Sequence, residues 1–204
     1  MNVVFDFGGV LFRWQPHEFM ARLLPQRAPD AAAARALVAE FFQHYVGDWG
    51  EFDRGVMDVP ELAQRIARRT GIALADVLRV IHAVPHELTP LPLSVDLTRR
   101  LGERGHRLFF LSNMPAPYAE HLEAAHPFLA RFEDGMFSSR VQLIKPEPAI
   151  FHEAARRFRI APGESLFIDD AGHNVAAAQL LGWQTLHFQS PEDCEAELAA
   201  RGLI

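Results

Sequence analysis

The chain has a single cysteine, Cys194, so it closes no internal disulfide and does not read as a disulfide-stapled secreted scaffold. Long apolar runs are missing too. Runs such as residues 3–5 and 108–111 span only a few positions, against the roughly 18 that a membrane helix needs. No basic n-region or long apolar h-region stands at the N-terminus, so a reducing cytoplasm is the expected setting. Nor is there an excess of positive charge: 20 Lys and Arg face 26 Asp and Glu, a formal charge of -6, which argues against a nucleic-acid partner. What remains is 204 residues, 49% hydrophobic and 23% charged, enough to bury a substantial core in one large domain or one domain with an insertion.

Strand-like runs are also scarce between about Pro16 and His86. Asp30 reads as an N-cap before the alanine-rich run 31–34, residues 61–69 are rich in helix formers and closed by Gly71, and a further helix is expected over 73–82, ending before Pro85. On either side of this helical stretch the texture is α/β. Val3-Val4-Phe5 is a buried strand ending at Asp6 and followed by Gly8-Gly9; residues 107–111 form a strand ending at Ser112-Asn113; residues 165–168 form one ending at Asp169-Asp170. Helices are expected over 93–104, 118–125, 147–158 and 175–181, with short strands at 136–137 and 184–188. This alternation predicts an α/β, doubly wound, Rossmann-like parallel sheet. The expected organisation is a core of residues 1–15 and 88–204, with residues 16–87 inserted as a helical cap.

Ligands of such sheets bind beyond the carboxyl ends of the strands, which is where the polar residues stand. Asp6, Asp169 and Asp170 are carboxylates without a histidine at ligand spacing, a donor set that suits a hard ion such as Mg²⁺ better than zinc. Lys145, in Ile144-Lys145-Pro146, adds a cation, and Ser112 adds a hydroxyl. Two unit charges 4 Å apart repel by about 4 kcal/mol at an effective dielectric near 20, so a carboxylate attacking a phosphate dianion needs such a cation and a metal nearby. The ten histidines form no convincing metal site: Pro85 separates His82 from His86, and His121 and His126 lie five apart. Trp14, Trp49 and Phe52 are expected near the hinge and cap, and Arg13, His17, His44, Glu51, Asp53 and Arg54 are cap candidates.

Val3-Val4-Phe5-Asp6-Phe7-Gly8-Gly9-Val10-Leu11, Leu111-Ser112-Asn113, Lys145-Pro146 and Phe167-Ile168-Asp169-Asp170-Ala171-Gly172-His173-Asn174 resemble, in order and spacing, the four motifs of the haloacid dehalogenase superfamily. The resemblance spans nearly the whole chain and is strongest to its small sugar-phosphatase branch and to the phosphatase domain of soluble epoxide hydrolases. It implies that Asp6 is the nucleophile, that Ser112, Asn113 and Lys145 serve the phosphate, and that Mg²⁺ is held by Asp6, the Gly8 carbonyl and Asp170, with Asp169 and Asn174 secondary. The implied reaction is hydrolysis of a small phosphorylated metabolite, a sugar phosphate foremost, by a monomer or homodimer with no membrane or nucleic-acid partner. Many such phosphatases carry a second Asp two residues after the nucleophile as acid and base. Here that position is Gly8. Two rival readings are a metal-free 2-haloacid dehalogenase, which the paired Asp169-Asp170 disfavours, and a non-catalytic binding protein on the same fold.

Overall fold

The computed structural model describes residues 1–204. In chain order its elements are β1 (Asn2–Phe5), β2 (Phe12–Arg13), α1 (Pro16–Leu23), α2 (Ala31–Phe42), α3 (Gly47–Arg54), α4 (Val59–Thr70), α5 (Leu74–Glu87), β3 (Thr89–Pro90), α6 (Pro92–Glu103) and β4 (Arg107–Ser112). These are followed by α7 (Ala116–Ala125), β5 (Asp134–Phe137), α8 (Ser138–Val141), α9 (Pro148–Phe158), β6 (Ser165–Asp169), α10 (Gly172–Leu180), β7 (Gln184–His187) and α11 (Pro191–Ala200).

The five long strands form one parallel sheet in the order β5-β4-β1-β6-β7. The first strand in sequence is thus the central one, and the chain winds outward from it first to one side and then to the other. A sheet wound this way opens a crevice at the carboxyl end of its central strand. All four residues of β1 are buried. Val3 and Phe5 enter one apolar cluster, with Phe110 and Ile168, and Val4 enters the other, with Phe109, Phe151, Phe167 and Trp183. Alternate side chains leave opposite faces of a strand, so helices must cover both.

Five helices, α1 to α5, lie between β2 and β3, and those two short strands pair antiparallel, Phe12 with Pro90 and Arg13 with Thr89. The chain therefore enters and leaves the helical segment side by side. Strands of two residues carry no periodicity, so this ribbon leaves no signal in the sequence. The helical segment also shares one apolar cluster with a face of the sheet, from Phe41 and Ile66 through to Phe5 and Leu97. Asp30 caps α2 as expected, its Oδ1 accepting from Ala33 N at 2.8 Å.

The largest difference at a helix boundary is in α5. α5 does not stop before Pro85 but runs through it to Glu87. A proline inside a helix leaves the carbonyl four residues earlier without its donor. That carbonyl is Ile81, and the Tyr118 hydroxyl of α7 donates to it at 2.6 Å. A tertiary hydrogen bond thus replaces the missing local one and lets the helix continue.

Across β4 and β5, Gly135 stands opposite Phe110, and a Cβ on Gly135 would lie 1.9 Å from the Phe110 ring. That ring is packed against Phe7, Phe132 and Phe137 and has no room to move. Gly135→Ala is expected to destabilise the fold by about 1–3 kcal/mol. At about 2–4 °C per kcal/mol for a chain of this size, thermal unfolding followed by circular dichroism should show a drop of roughly 3–10 °C. An unchanged melting temperature would contradict the tight contact.

Candidate active site

Asp6 follows directly on β1, its backbone N–H donating to Ile168 O at 2.9 Å, so the carboxylate emerges where the central strand ends. The chain then folds into a tight loop. Phe7 O accepts from Leu11 N and Phe12 N at 2.9 and 2.8 Å, and Gly9 turns it in the left-handed region at φ 80°. A Cβ on Gly9 would fall 2.3 Å from Asp170 Oδ2, so only glycine lets this loop and the end of β6 approach so closely.

Lys145 is 3% exposed and reaches the loop from the turn before α9. Its Nζ stands 2.8 Å from Asp6 Oδ1 and 2.6 Å from Asp169 Oδ2, and donates to Leu111 O at 3.0 Å. Asn113 holds the lysine backbone with both ends of its amide, donating to Lys145 O at 2.9 Å and accepting from Lys145 N at 2.8 Å. Burial alone would disfavour the ammonium, but the two carboxylates override it and hold its pKa above the ordinary lysine value.

The two adjacent acids have different surroundings. Asp169 is fully buried and accepts four hydrogen bonds: from Lys145, from Ala171 N at 2.8 Å, and from Asn174 Nδ2 on both oxygens at 3.1 Å. Those bonds occupy its oxygens. Asp170 is exposed to the cavity, and its pKa is raised, first by burial of the carboxyl and then by Asp169. Oxygen atoms of Asp6, Asp169 and Asp170 all lie within 4.8 Å of one another. Burial, reinforced by Asp169 and Asp170 and opposed by Lys145, pushes Asp6 up to about 7. Asn174 Oδ1 is a buried acceptor with no partner. Surplus negative charge with an orphaned oxygen beside it fits a hard cation, which Asp6, Asp170 and the Gly8 carbonyl could bind while Asp169 orients Lys145.

Asp6, Lys145 and Asp170 share a cavity of about 190 Å³, lined also by Ser112, Asn113, Gly8 and Asn174, with Asp169 buried behind them. Every site residue expected from the sequence is therefore at or beside one cavity. The cap candidates divide. Trp14, Trp49 and Asp53 line the cavity, whereas His17 and His44 line a separate groove beside Arg35 and Phe42, so neither histidine faces Asp6. Arg54 pairs with Glu147 and Glu51, and Arg13 with Glu18, away from the cavity. Phe52 packs edge-on against Trp49 and Tyr118 behind its wall.

Lining residues that were not singled out in the sequence include Tyr45, Leu88, Met114, Tyr118 and His173. His173 lies inside the motif that ends at Asn174, so position alone could have flagged it. The others carry no local signal. Asp53 is also more than a generic candidate. It is 5% exposed, its backbone carbonyl accepts from Ser138 Oγ at 2.5 Å, and burial followed by the charge of Asp6 raises its pKa well above the carboxylate range. A second buried carboxyl, from α3, thus lines the same cavity as Asp6.

Residues 1–182 match the haloacid dehalogenase-like hydrolase family. The chain belongs to that family. It is 25% identical over 186 residues to the sesquiterpene phosphatase astK of Aspergillus oryzae, covering 91% of this chain and 88% of that one. It is 22% identical over 206 residues to the D-ribitol-5-phosphate phosphatase of Bacteroides thetaiotaomicron, covering 97% and 96%. A crystal structure of a Bacteroides thetaiotaomicron family enzyme in complex with magnesium and inorganic phosphate superposes with a TM-score of 0.72 at 25% identity, covering 92% and 93%. Dehalogenases share the fold as well, at 18 and 21% identity with TM-scores of 0.70 and 0.67. This haloacid dehalogenase-like hydrolase is therefore an α/β enzyme of hydrolytic class with phosphatases among its relatives, and none of its helices is long and apolar enough to cross a membrane.

Proposed function

We propose that the protein is a Mg²⁺-dependent phosphatase that hydrolyses a small phosphomonoester through an aspartyl-phosphate on Asp6. The observation that carries this reading is the buried Lys145 ammonium held 2.8 Å from Asp6 at the end of the central strand, with Asp170 beside it. Lys145 favours the ionised form of Asp6 against the burial that raises its pKa, and offers positive charge to the incoming phosphate. The Ser112 hydroxyl, at the end of the neighbouring strand, orients a phosphoryl oxygen, and the Asn113 amide holds the backbone of Lys145 in place for the same task. When bound, Mg²⁺ supplies the charge that offsets repulsion between a phosphate dianion and a carboxylate. The Asp6 oxygen bonds to phosphorus and the alcohol departs, after which water attacks phosphorus and frees both Asp6 and inorganic phosphate. Residues 16–87 act as a cap that excludes bulk water above this site.

Phosphate release from a panel of phosphomonoesters tests the proposal. Excess chelator is expected to silence the enzyme and Mg²⁺ to restore it, and Asp170→Ala should raise the Mg²⁺ requirement at least tenfold. Activity unchanged by chelator would refute the metal assignment. Chloride released from 2-chloropropionate under chelator would establish the dehalogenase reading instead.

The bare Gly8 leads to a second expectation. Its Cβ would meet nothing within 4 Å and its backbone is outside the left-handed region, so Gly8→Asp is sterically allowed. General acid catalysis contributes about 10² to 10⁴ in rate. The wild type should therefore show a steep dependence of kcat/KM on leaving-group pKa, with aryl and acyl phosphates and sugar 1-phosphates outrunning sugar 6-phosphates. Gly8→Asp should flatten the slope. A flat wild-type series would show that another group, Asp53 foremost, carries the proton.

A further inference from the structure

Outside its phosphate end, the cavity is walled by aromatic and aliphatic side chains: Trp14, Tyr45, Trp49, Leu88, Met114 and Tyr118. The polar atoms on these walls are largely spent. Trp14 Nε1 donates to Tyr45 Oη at 2.8 Å, and Tyr118 Oη donates to Ile81 O at 2.6 Å. The Asn113 amide is engaged with the Lys145 backbone through one N–H and its oxygen. Asp53, the Tyr45 hydroxyl hydrogen, the Trp49 indole N–H, one Asn113 N–H and the exposed His173 are what remain for a substrate's own hydroxyls. A polyol buried here would trade several hydrogen bonds to water for very few to protein, whereas a hydrocarbon group would lose nothing and shed water.

The placement of Tyr45 points the same way. Gln43, His44 and Tyr45 are three consecutive non-glycine residues at φ 49°, 54° and 61°, a conformation L-residues rarely adopt. Gln43 Oε1 accepts from Asp48 N at 2.9 Å and staples the turn against the start of α3. The strained turn holds the Tyr45 ring against Phe42 and beneath the Trp14 indole N–H. Backbone strain kept at a cavity wall needs a return, and a fixed aromatic surface for a ligand is one.

We propose that this wall is a subsite for an apolar hydrocarbon group carried by the phosphate ester, an aryl or unsaturated alkyl alcohol and not a polyol. The inference rests on the phosphatase reading and specifies its leaving group. As the Asp6 oxygen bonds to phosphorus, the phosphorus–oxygen bond to the alcohol breaks and its electron pair stays on the alcohol oxygen. Water supplies the proton that oxygen takes up.

Benzyl phosphate, set against glycerol 3-phosphate and a hexitol 6-phosphate, compares primary alcohols that differ mainly in polarity. Benzyl phosphate is expected to have at least a tenfold higher kcat/KM, carried by a lower KM. Tyr45→Asn, which tolerates the left-handed backbone, and Trp14→Gln should each narrow that ratio at least fivefold. The non-hydrolysable benzylphosphonate, titrated by tryptophan fluorescence, should bind at least tenfold tighter than inorganic phosphate. Equal or higher kcat/KM for the hexitol ester, or benzylphosphonate binding no tighter than phosphate, would overturn the subsite. No phosphate release from any ester, with tight benzylphosphonate binding retained, would sink the phosphatase reading and leave the apolar subsite standing.

Discussion

Asp6→Asn is expected to abolish turnover of every phosphomonoester, by roughly 10⁴-fold or more, while leaving the fold intact. The substitution removes the charge of the proposed nucleophile at nearly constant volume, so the expected loss is chemical and not structural. Its effect on stability should be opposite in sign. In the metal-free protein the Asp6 pKa stands near 7, above its ordinary value of 3.8, because the carboxyl is buried beside Asp169 and Asp170. Between those two values the unfolded chain has released a proton that the folded protein still holds, so this group makes stability fall as pH rises through the window. Asn carries no such penalty. Metal-free Asp6→Asn should therefore melt several degrees above the parent at pH 7 and alongside it near pH 4, and Mg²⁺ should stabilise the parent far more than the variant. Phosphate release within tenfold of the parent would reject Asp6 as nucleophile, and a melting difference independent of pH would reject the electrostatic account.

Lys145→Met should be the most destabilising change in the site. The lysine is the only cation in contact with Asp6 and Asp169, at 2.8 and 2.6 Å, and all three groups are buried. Removing one partner of a buried ion pair costs about 3–5 kcal/mol, because the charge left behind has lost its compensation. Methionine matches the aliphatic stem, so packing contributes little to the loss. Unfolding in urea is expected to shift to lower denaturant with an unchanged slope, and activity should disappear even where the variant remains folded. The double variant Asp6→Asn/Lys145→Met should recover part of the stability, since the residues are in contact and their effects do not add. A Lys145→Met protein as stable as the parent would show that water or the backbone already neutralises these carboxylates.

The sheet and the carboxylates at its strand ends were legible in the sequence because their signals are local. Buried strands read as short apolar runs, and the residues ending them follow by adjacency: Asp6 after Val3-Val4-Phe5, Ser112 after the β4 run, Asp169 after Leu166-Phe167-Ile168. In a parallel sheet all carboxyl ends lie on one side, so the chemistry of those ends converges without knowledge of the loops. The division of labour between Asp169 and Asp170 was not legible in that way. Adjacent residues at a strand end point in opposite directions, and only the positions of Lys145 and Asn174 show that Asp169 is saturated with hydrogen bonds while Asp170 faces the cavity.

By itself, then, the sequence determined the α/β class, the first strand and the acid that ends it through periodicity and neighbourhood along the chain, and the resemblance of its motifs added the cation Lys145. The tertiary structure alone decided the rest. It carried α5 through Pro85 by means of a hydroxyl 37 residues away. It brought Asp53 to the cavity and left His17 and His44 in another groove, although all three lie in the same helical segment. It also set Tyr45, Met114 and Tyr118 together as one wall. The physical reason is common to these cases. A helix repeats every 3.6 residues, so its sequence shows which face is apolar but not which neighbour that face meets, and a cavity wall is assembled from just those neighbours.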